Sequence, residues 1–247
     1  KISPSGKHVV AVASNIPEVA ETSKPTELAP KTCEFLIWDL STGELIFREK
    51  DTISGHQHTH AWRILSFLPS GTALLRCYDK YVFETQSSDE SAIMGKRIGC
   101  NLETVDLEGG KKVDDKELNY APTEACITPD GKRVYFAVGW GGTPEPLDGI
   151  WMWDLETDHI ARVYKGSVVH PSVSPNGRRL MFREYGTLTK HDVSMLLLDT
   201  QTHQLVFEMT PEKRVGDPRY FFTPDGEVVR YDAGQTEKIL AHRRSKR

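Results

Sequence analysis

Several things are scarce or missing in this 247-residue chain, and each absence removes a class of protein. No apolar run approaches the roughly eighteen residues of a membrane-spanning helix, and no charged n-region and apolar h-region stand ahead of the first strand-like run. Cysteine is sparse: Cys33, Cys77, Cys100 and Cys126 are far apart and form no Cys-x-x-Cys pair. That excludes a zinc ribbon and a dithiol redox motif. The four are expected as small buried apolar residues, with two disulfides as the alternative in an oxidising compartment. Neither charge sign dominates: 31 Lys and Arg face 35 Asp and Glu, a net charge of −4, so no global field draws nucleic acid or an anionic membrane. Nucleic acid is disfavoured as a partner, and the cytoplasm is favoured over the periplasm or secretion. Catalytic signatures are also missing. There is no Gly-x-Ser-x-Gly elbow, no His-Glu-x-x-His, no Gly-x-x-x-x-Gly-Lys-Ser/Thr loop and no dinucleotide fingerprint. This weighs against an enzyme without excluding a site assembled from scattered residues.

What the chain has instead is repetition. Ser3-Pro4-Ser5-Gly6, Leu68-Pro69-Ser70-Gly71, Thr128-Pro129-Asp130-Gly131, Ser174-Pro175-Asn176-Gly177 and Thr223-Pro224-Asp225-Gly226 are five copies of one pattern. Proline presets φ for the first corner of a turn and glycine accepts the positive φ other residues resist, so each copy reads as a tight hairpin corner. The prolines lie 65, 60, 46 and 49 positions apart. The last two spacings match the roughly 40–50-residue period of a propeller blade.

A short β-rich run follows each corner: 8–13, 72–77, 133–138, 179–182 and 227–231. Several are too continuously apolar for a half-exposed sheet, as expected when both faces are covered. A second element recurs further on, an apolar strand ended by Asp and a polar turn, at Asp39, Asp106, Asp154 and Asp199. Another strand then follows, as at 44–47 and 204–207, so each repeat holds about four strands joined by hairpins. The predicted fold class is all-β, a β-propeller of four-stranded antiparallel blades, about four full blades plus a partial fifth. It forms a single domain over 1–247 with approximate repeats 1–60, 61–118, 119–166, 167–214 and 215–247. Inserted loops are expected at 15–31 and 86–99. The chain begins within an inner strand, which points to a fragment or processed form of a longer six- to eight-bladed propeller, with a closed five-bladed ring as the alternative.

The elements Ile37-Trp38-Asp39-Leu40 and Met152-Trp153-Asp154-Leu155, with Gly55-His56 ahead of the second repeat, resemble WD-repeat proteins. The corners Thr128-Pro129-Asp130-Gly131-Lys132 and Ser174-Pro175-Asn176-Gly177 are equally similar to the TolB-type propeller repeat. Both families are β-propellers. Only two of the four Asp-ended strands carry Trp before the Asp, so the resemblance is to a divergent member.

Candidate functional residues lie off the repeat. His56, His58 and His60 alternate along an extended segment, an arrangement that would project three imidazoles from one face towards a single metal. The plainer reading makes His56 a blade linker and the others surface residues, and no cofactor is expected. The four strand-end aspartates are read as turn builders, because Asp accepts hydrogen bonds from the backbone N–H groups just beyond it. Trp140, on the irregular segment 139–146, is a candidate binding anchor, with burial against its own blade as the alternative. Tyr185, at the matching place in the fourth repeat, is expected on the same surface. Arg243 and Arg244 lie in a basic tail able to touch an anionic partner, though a solvated end is the usual outcome for so short a run.

The resemblance implies a non-catalytic scaffold that binds a protein or peptide through the loops at one face. The alternative is a propeller enzyme, such as a lactonase-like hydrolase, or the propeller accessory domain of a larger hydrolase.

Overall fold

The computed structural model describes residues 1–15, 31–53, 58–85, 93–120, 122–139, 147–185, 193–209, 219–232 and 235–239. The chain is all-β and of the β-propeller class, built as successive antiparallel sheets in chain order. It divides into two compact units, Lys1–Ala121 and Pro122–Arg247.

The first unit holds two sheets. One has three strands, β1 (His8–Asn15), β2 (Lys31–Asp39) and β3 (Leu45–Ile53). An isolated bridge from Ile2 to Val9 marks where a fourth, inner strand pairs with β1. The other has four, β4 (His58–Phe67), β5 (Ala73–Thr85), β6 (Ile93–Asp106) and β7 (Lys112–Leu118). Positions 93–99, expected in a loop, pair with β5 instead, so the connection between those strands is shorter than 86–99.

The second unit holds three sheets. The first is β8 (Pro122–Ile127), β9 (Arg133–Val138), β10 (Gly149–Asp154) and β11 (His159–Lys165). Next come β12 (Val168–Val173), β13 (Arg179–Tyr185), β14 (Val193–Asp199) and β15 (Leu205–Met209). Last are β16 (Arg219–Phe222), β17 (Val228–Asp232) and β18 (Gln235–Ile239). Neighbours in sequence are neighbours in each sheet, as hairpin connections require.

All five Pro-Gly corners close in the same way. The glycine N–H donates to the carbonyl of the first corner residue at 2.8–2.9 Å, with the glycine at φ between 69 and 83°. Where that first residue carries a hydroxyl, the side chain braces the turn: Thr128 Oγ1 donates to Asp130 at 2.5 Å and accepts from the Arg133 N–H at 3.0 Å. Ser174 repeats this with Asn176 and Arg179, and Thr223 with Asp225 and Glu227.

The Asp turns are just as regular. Asp39 Oδ1 accepts from the Ser41 N–H at 2.7 Å, Asp154 Oδ1 from Thr157 at 3.0 Å and Asp199 Oδ1 from Thr202 at 2.8 Å, while Asp106 Oδ2 accepts from Gly109 at 2.7 Å. Four residues beyond each Asp the chain takes positive φ, at Gly43, Gly110, Asp158 and His203. Non-glycine residues persist there because their side chains find partners: Trp153 Nε1 donates to Asp158 at 3.0 Å, and His203 sits edge-on to Tyr135.

Apolar side chains fill the space between neighbouring sheets of each unit. In the first, Val10, Phe35 and Ile37 meet Leu74, Val105 and Leu107. In the second, Tyr135, Ile150 and Met152 meet Leu180, Phe182 and Leu196, and Met181, Met195 and Leu197 meet Val228. Each such side chain contributes about 1.5–3 kcal/mol by leaving water. Polar ties add register. In the first unit Arg76, almost fully buried, reaches Glu103 and Glu49 at 2.7 Å each and lies 4.4 Å over the Phe35 ring. Tyr78 donates to Asp51 at 2.5 Å. In the second unit Tyr135 and Arg133 both donate to the Thr200 carbonyl at 3.2 Å. Cys33, Cys77 and Cys100 are buried and Cys126 partly so, and no disulfide links them.

Candidate functional site

Each four-stranded sheet has two kinds of end. The Pro-Gly corner joins its first strand to its second and the Asp turn its third to its fourth, so both tight turns fall at one end. The second-to-third connection and the linker into the next sheet leave from the opposite end, and these are the segments that differ in length and composition. The four strand-end aspartates are therefore committed to the turn end. Hydrogen bonds hold three of these carboxyls below the usual range, from the Ser41 hydroxyl for Asp39 and from backbone N–H groups for Asp154 and Asp199.

Of the residues singled out from sequence, His56, Trp140, Arg243 and Arg244 lie outside the described residues. His58 and His60 fall in β4, where only their backbone is described. Among the described residues no three His, Cys, Asp or Glu side chains gather as a metal site. Tyr185 is half-buried as the last residue of β13, its N–H donating to the Ser167 carbonyl at 2.8 Å. It stands at the variable end of its sheet, where the segment 186–192 begins. The segment 140–146 leaves the preceding sheet at the corresponding end.

Near that same end the structure brings together two residues that sequence reading passed over. Glu124 on β8 and His170 on β12 belong to the first strands of adjacent sheets in the second unit. Glu124 Oε2 accepts the His170 backbone N–H at 2.6 Å, and His170 Nδ1 lies 2.9 Å from the carboxylate. A carboxylate only accepts, so Nδ1 carries the proton and Nε2 is left facing away from this bond. Both residues are substantially exposed, Glu124 at 41% and His170 at 57% of the side chain.

His170 also has φ 55°, in a strand, just before Pro171, where the register with β13 slips between Val169 and Ser172. An L-residue in this left-handed region is strained by about 1–2 kcal/mol. Strain of this kind persists where neighbours enforce it, and it clusters at functional sites. The sequence does hold a trace of the pair. Glu124 and His170 stand at the same distance before their corners, four residues ahead of Thr128 and Ser174.

A second polar group bridges the same two sheets, from β11 to β13. Tyr164 hydrogen-bonds Glu184, and burial raises the Glu184 carboxyl above its usual range. A side chain at Gly166 would collide with that carboxylate, so Gly166 keeps the approach open. This group ties one sheet to the next and is half-buried, whereas His170 is exposed.

No protein-family model matches this sequence, and no curated protein matches it. Solved structures do. Hydrazine synthase from Kuenenia stuttgartiensis aligns over 81% of this chain and 52% of its own, at 16% identity and a TM-score of 0.51. An oligogalacturonate lyase in complex with manganese aligns over 86% of this chain and 62% of its own, at 16% identity and a TM-score of 0.51. The β-propeller domain of the Trilobed protease from Pyrococcus furiosus aligns over 76% of this chain and 58% of its own, at 14% identity and a TM-score of 0.47. At these identities the likeness is one of fold. The chain spans between about half and two-thirds of the length of these structures.

Proposed function

We propose that this chain is a non-catalytic β-propeller platform that binds a protein or peptide at the variable end of the sheets in its second unit. The observation that carries this reading is the asymmetry of the sheets. One end is closed by the same two turns in every four-stranded sheet, with its aspartates saturated by turn hydrogen bonds. The other end carries irregular connections, Tyr185, and an exposed, oriented carboxylate–imidazole pair. Binding residues concentrate on loops held by a rigid scaffold, and Trp140 within 140–146 supplies an aromatic of the kind that anchors interfaces. Arg243 and Arg244 are secondary candidates for contact with an acidic partner. Kinship with WD-repeat and TolB-type propellers is part of the same proposal, supported by the Trp38-Asp39 and Trp153-Asp154 strand ends and the five corners.

The test is selection of a random peptide library on the intact chain, followed by affinity measurements on variants. Peptides recovered by the wild type are expected to lose about tenfold or more in affinity on W140A, Y185A or H170N. They should be indifferent to K132A and E156A, which break an exposed ion pair at the turn end. Recovery of no peptide, or of peptides that respond only to the turn-end variants, overturns the reading.

A further inference from the structure

Between the β8–β11 and β12–β15 sheets, Tyr135, Ile150 and Met152 face Val168, Phe182 and Leu196. At the variable end this apolar seam meets a carboxylate. Residues opposite one another on paired strands share a face, so the pairing of Val168 with Glu184 turns Glu184 towards β8–β11. Tyr164 of β11 donates to it and stacks on Phe182 with ring centroids 4.8 Å apart. Gly166 walls it in from the linker, where a Cβ would collide with the carboxylate and stand 3.1 Å from the Tyr164 ring. Glu208 of β15 pairs with Leu196, which brings a second carboxylate to the same face.

A carboxylate so enclosed calls for a cation or for several N–H donors. Among the described residues, the ionisable groups acting on Glu184 are the Tyr164 phenol and Glu208, and neither is a cation. Other ionisable groups of the seam are engaged elsewhere. Glu124 and His170 bond each other, Arg133 and Tyr135 bond the Thr200 carbonyl with His203 against Tyr135, and Cys126 packs on the apolar cluster. Burial pushes the Glu184 carboxyl up, Tyr164 opposes this by donating to the charged form, and Glu208 adds to it by repulsion. The seam suits the neutral acid better than the charged one.

What this group touches is the linker between the two sheets. The Gly166 N–H donates to the Asp148 carbonyl on the β8–β11 side at 3.3 Å, and the Ser167 carbonyl accepts the Tyr185 N–H on the β12–β15 side at 2.8 Å. Glu184 presses on the first of these residues and precedes Tyr185 in the chain. We infer that Glu184, with Tyr164 and Glu208, is an acid-closed latch on this linker: the protonated carboxyl holds the variable end of the seam shut, and its ionisation loosens it. The proton leaves to water, and the charged side chain gains hydration by moving out of the seam. A carboxyl whose folded value is raised stabilises the closed seam fully below its unfolded value, and that contribution is lost as pH rises through the folded one. The latch belongs to the fold of the second unit and does not depend on what that unit binds.

The experiment is amide hydrogen exchange on the intact chain from about pH 4.5 to about pH 7.5, each rate being corrected for the intrinsic rate at that pH. It is read at Gly166 and Tyr185, with the corner amides of Gly131 and Gly177 as references at the turn end. Protection at Gly166 and Tyr185 is expected to fall about fivefold or more over this range, the lower end of ordinary coupling between sites. The references should not change. E184Q should keep both amides protected throughout, as the neutral acid does. E208Q should move the midpoint of the fall to lower pH and Y164F to higher pH, because one removes a repulsion and the other a donor to the charged form. A group that merely packs would give no midpoint to move. Constant protection at Gly166 and Tyr185 in the wild type overturns the inference whatever the variants do, and so does a fall that survives in folded E184Q. A fall shared by Gly131 and Gly177 marks loosening of the whole unit and overturns it as well. Should E184Q fail to fold, a midpoint that E208Q leaves in place overturns it.

Discussion

Replacing Gly110 by alanine tests how the two sheets of the first unit are fitted together. Gly110 closes the Asp106 turn, its N–H donating to the Asp106 carbonyl at 3.0 Å, with φ +66°. A Cβ built there would lie inside the ring of Phe47 and 2.6 Å from the Phe47 Cβ. Phe47 belongs to the neighbouring sheet and packs edge-on against Phe35 at 6.4 Å, so the ring has little room to yield. The left-handed backbone alone costs an L-residue about 1–2 kcal/mol, and overpacking adds about 1–3 kcal/mol. Reduced freedom of the unfolded chain returns about 0.4–1 kcal/mol. The net loss is about 1–5 kcal/mol, centred near 3, of order 10 °C in melting temperature for a chain of this size. Gly43 is the internal control: it holds the same turn position at φ +74° with nothing within 4 Å of its Cβ. G43A should lose no more than about 1 kcal/mol. Denaturation followed by circular dichroism compares the two, and in an F47A background G110A should cost no more than G43A. Equal losses for G110A and G43A in the parent protein would refute the contact argument.

Three further outcomes are expected. R76A should lose about 3–5 kcal/mol in denaturant titration, because it strands the buried Glu103 without its 2.7 Å partner; R76M combined with E103L should recover most of it, and failure of the pair to improve on R76A would contradict this account. The carboxyls of Asp39, Asp154 and Asp199 sit below their usual range when folded, so their stabilisation is complete above the unfolded value near pH 4 and is lost as pH falls through the folded one. Melting temperatures from pH 7 to 2.5 should fall less steeply in the triple Asp→Asn variant, and an unchanged acid slope would count against it. Burial pushes the Cys126 thiol well above its ordinary value, so iodoacetamide at pH 8 should label it only in denaturant; labelling of the folded chain at the rate of a free thiol would show the site to be open.

The turns were the legible part of this molecule, for a local reason. Pro129, Asp130 and Gly131 satisfy the geometry of their corner through bonds made within six residues, so the pattern in the sequence is the structure in miniature. Even here a detail escaped. The Thr223 N–H meets the Glu227 carbonyl, whereas Thr128 and Ser174 reach five residues ahead, to Arg133 and Arg179, so the last corner is one residue tighter. The start of β6 at Ile93 was not legible, because strand there depends on pairing with β5 and not on the polar, glycine-punctuated composition of 86–99. Glu124 and His170 were missed because their meeting depends on two sheets lying side by side and on a slip in β12, neither of which leaves a period in the sequence. What they did leave was their shared count before the corners, a positional signal and not a compositional one.

The confinement of both tight turns to one end of each sheet has an evolutionary consequence. Lengthening or rewriting a segment at the other end displaces no ladder hydrogen bond and shifts no register, because the count along every strand is anchored from the corner. The intervals of 65 and 60 residues between early corners, against 46 and 49 later, are the result of that freedom. Such a chain can exchange one ligand for another by insertion and drift at its variable end while the inheritance of its fold is guarded at the opposite one.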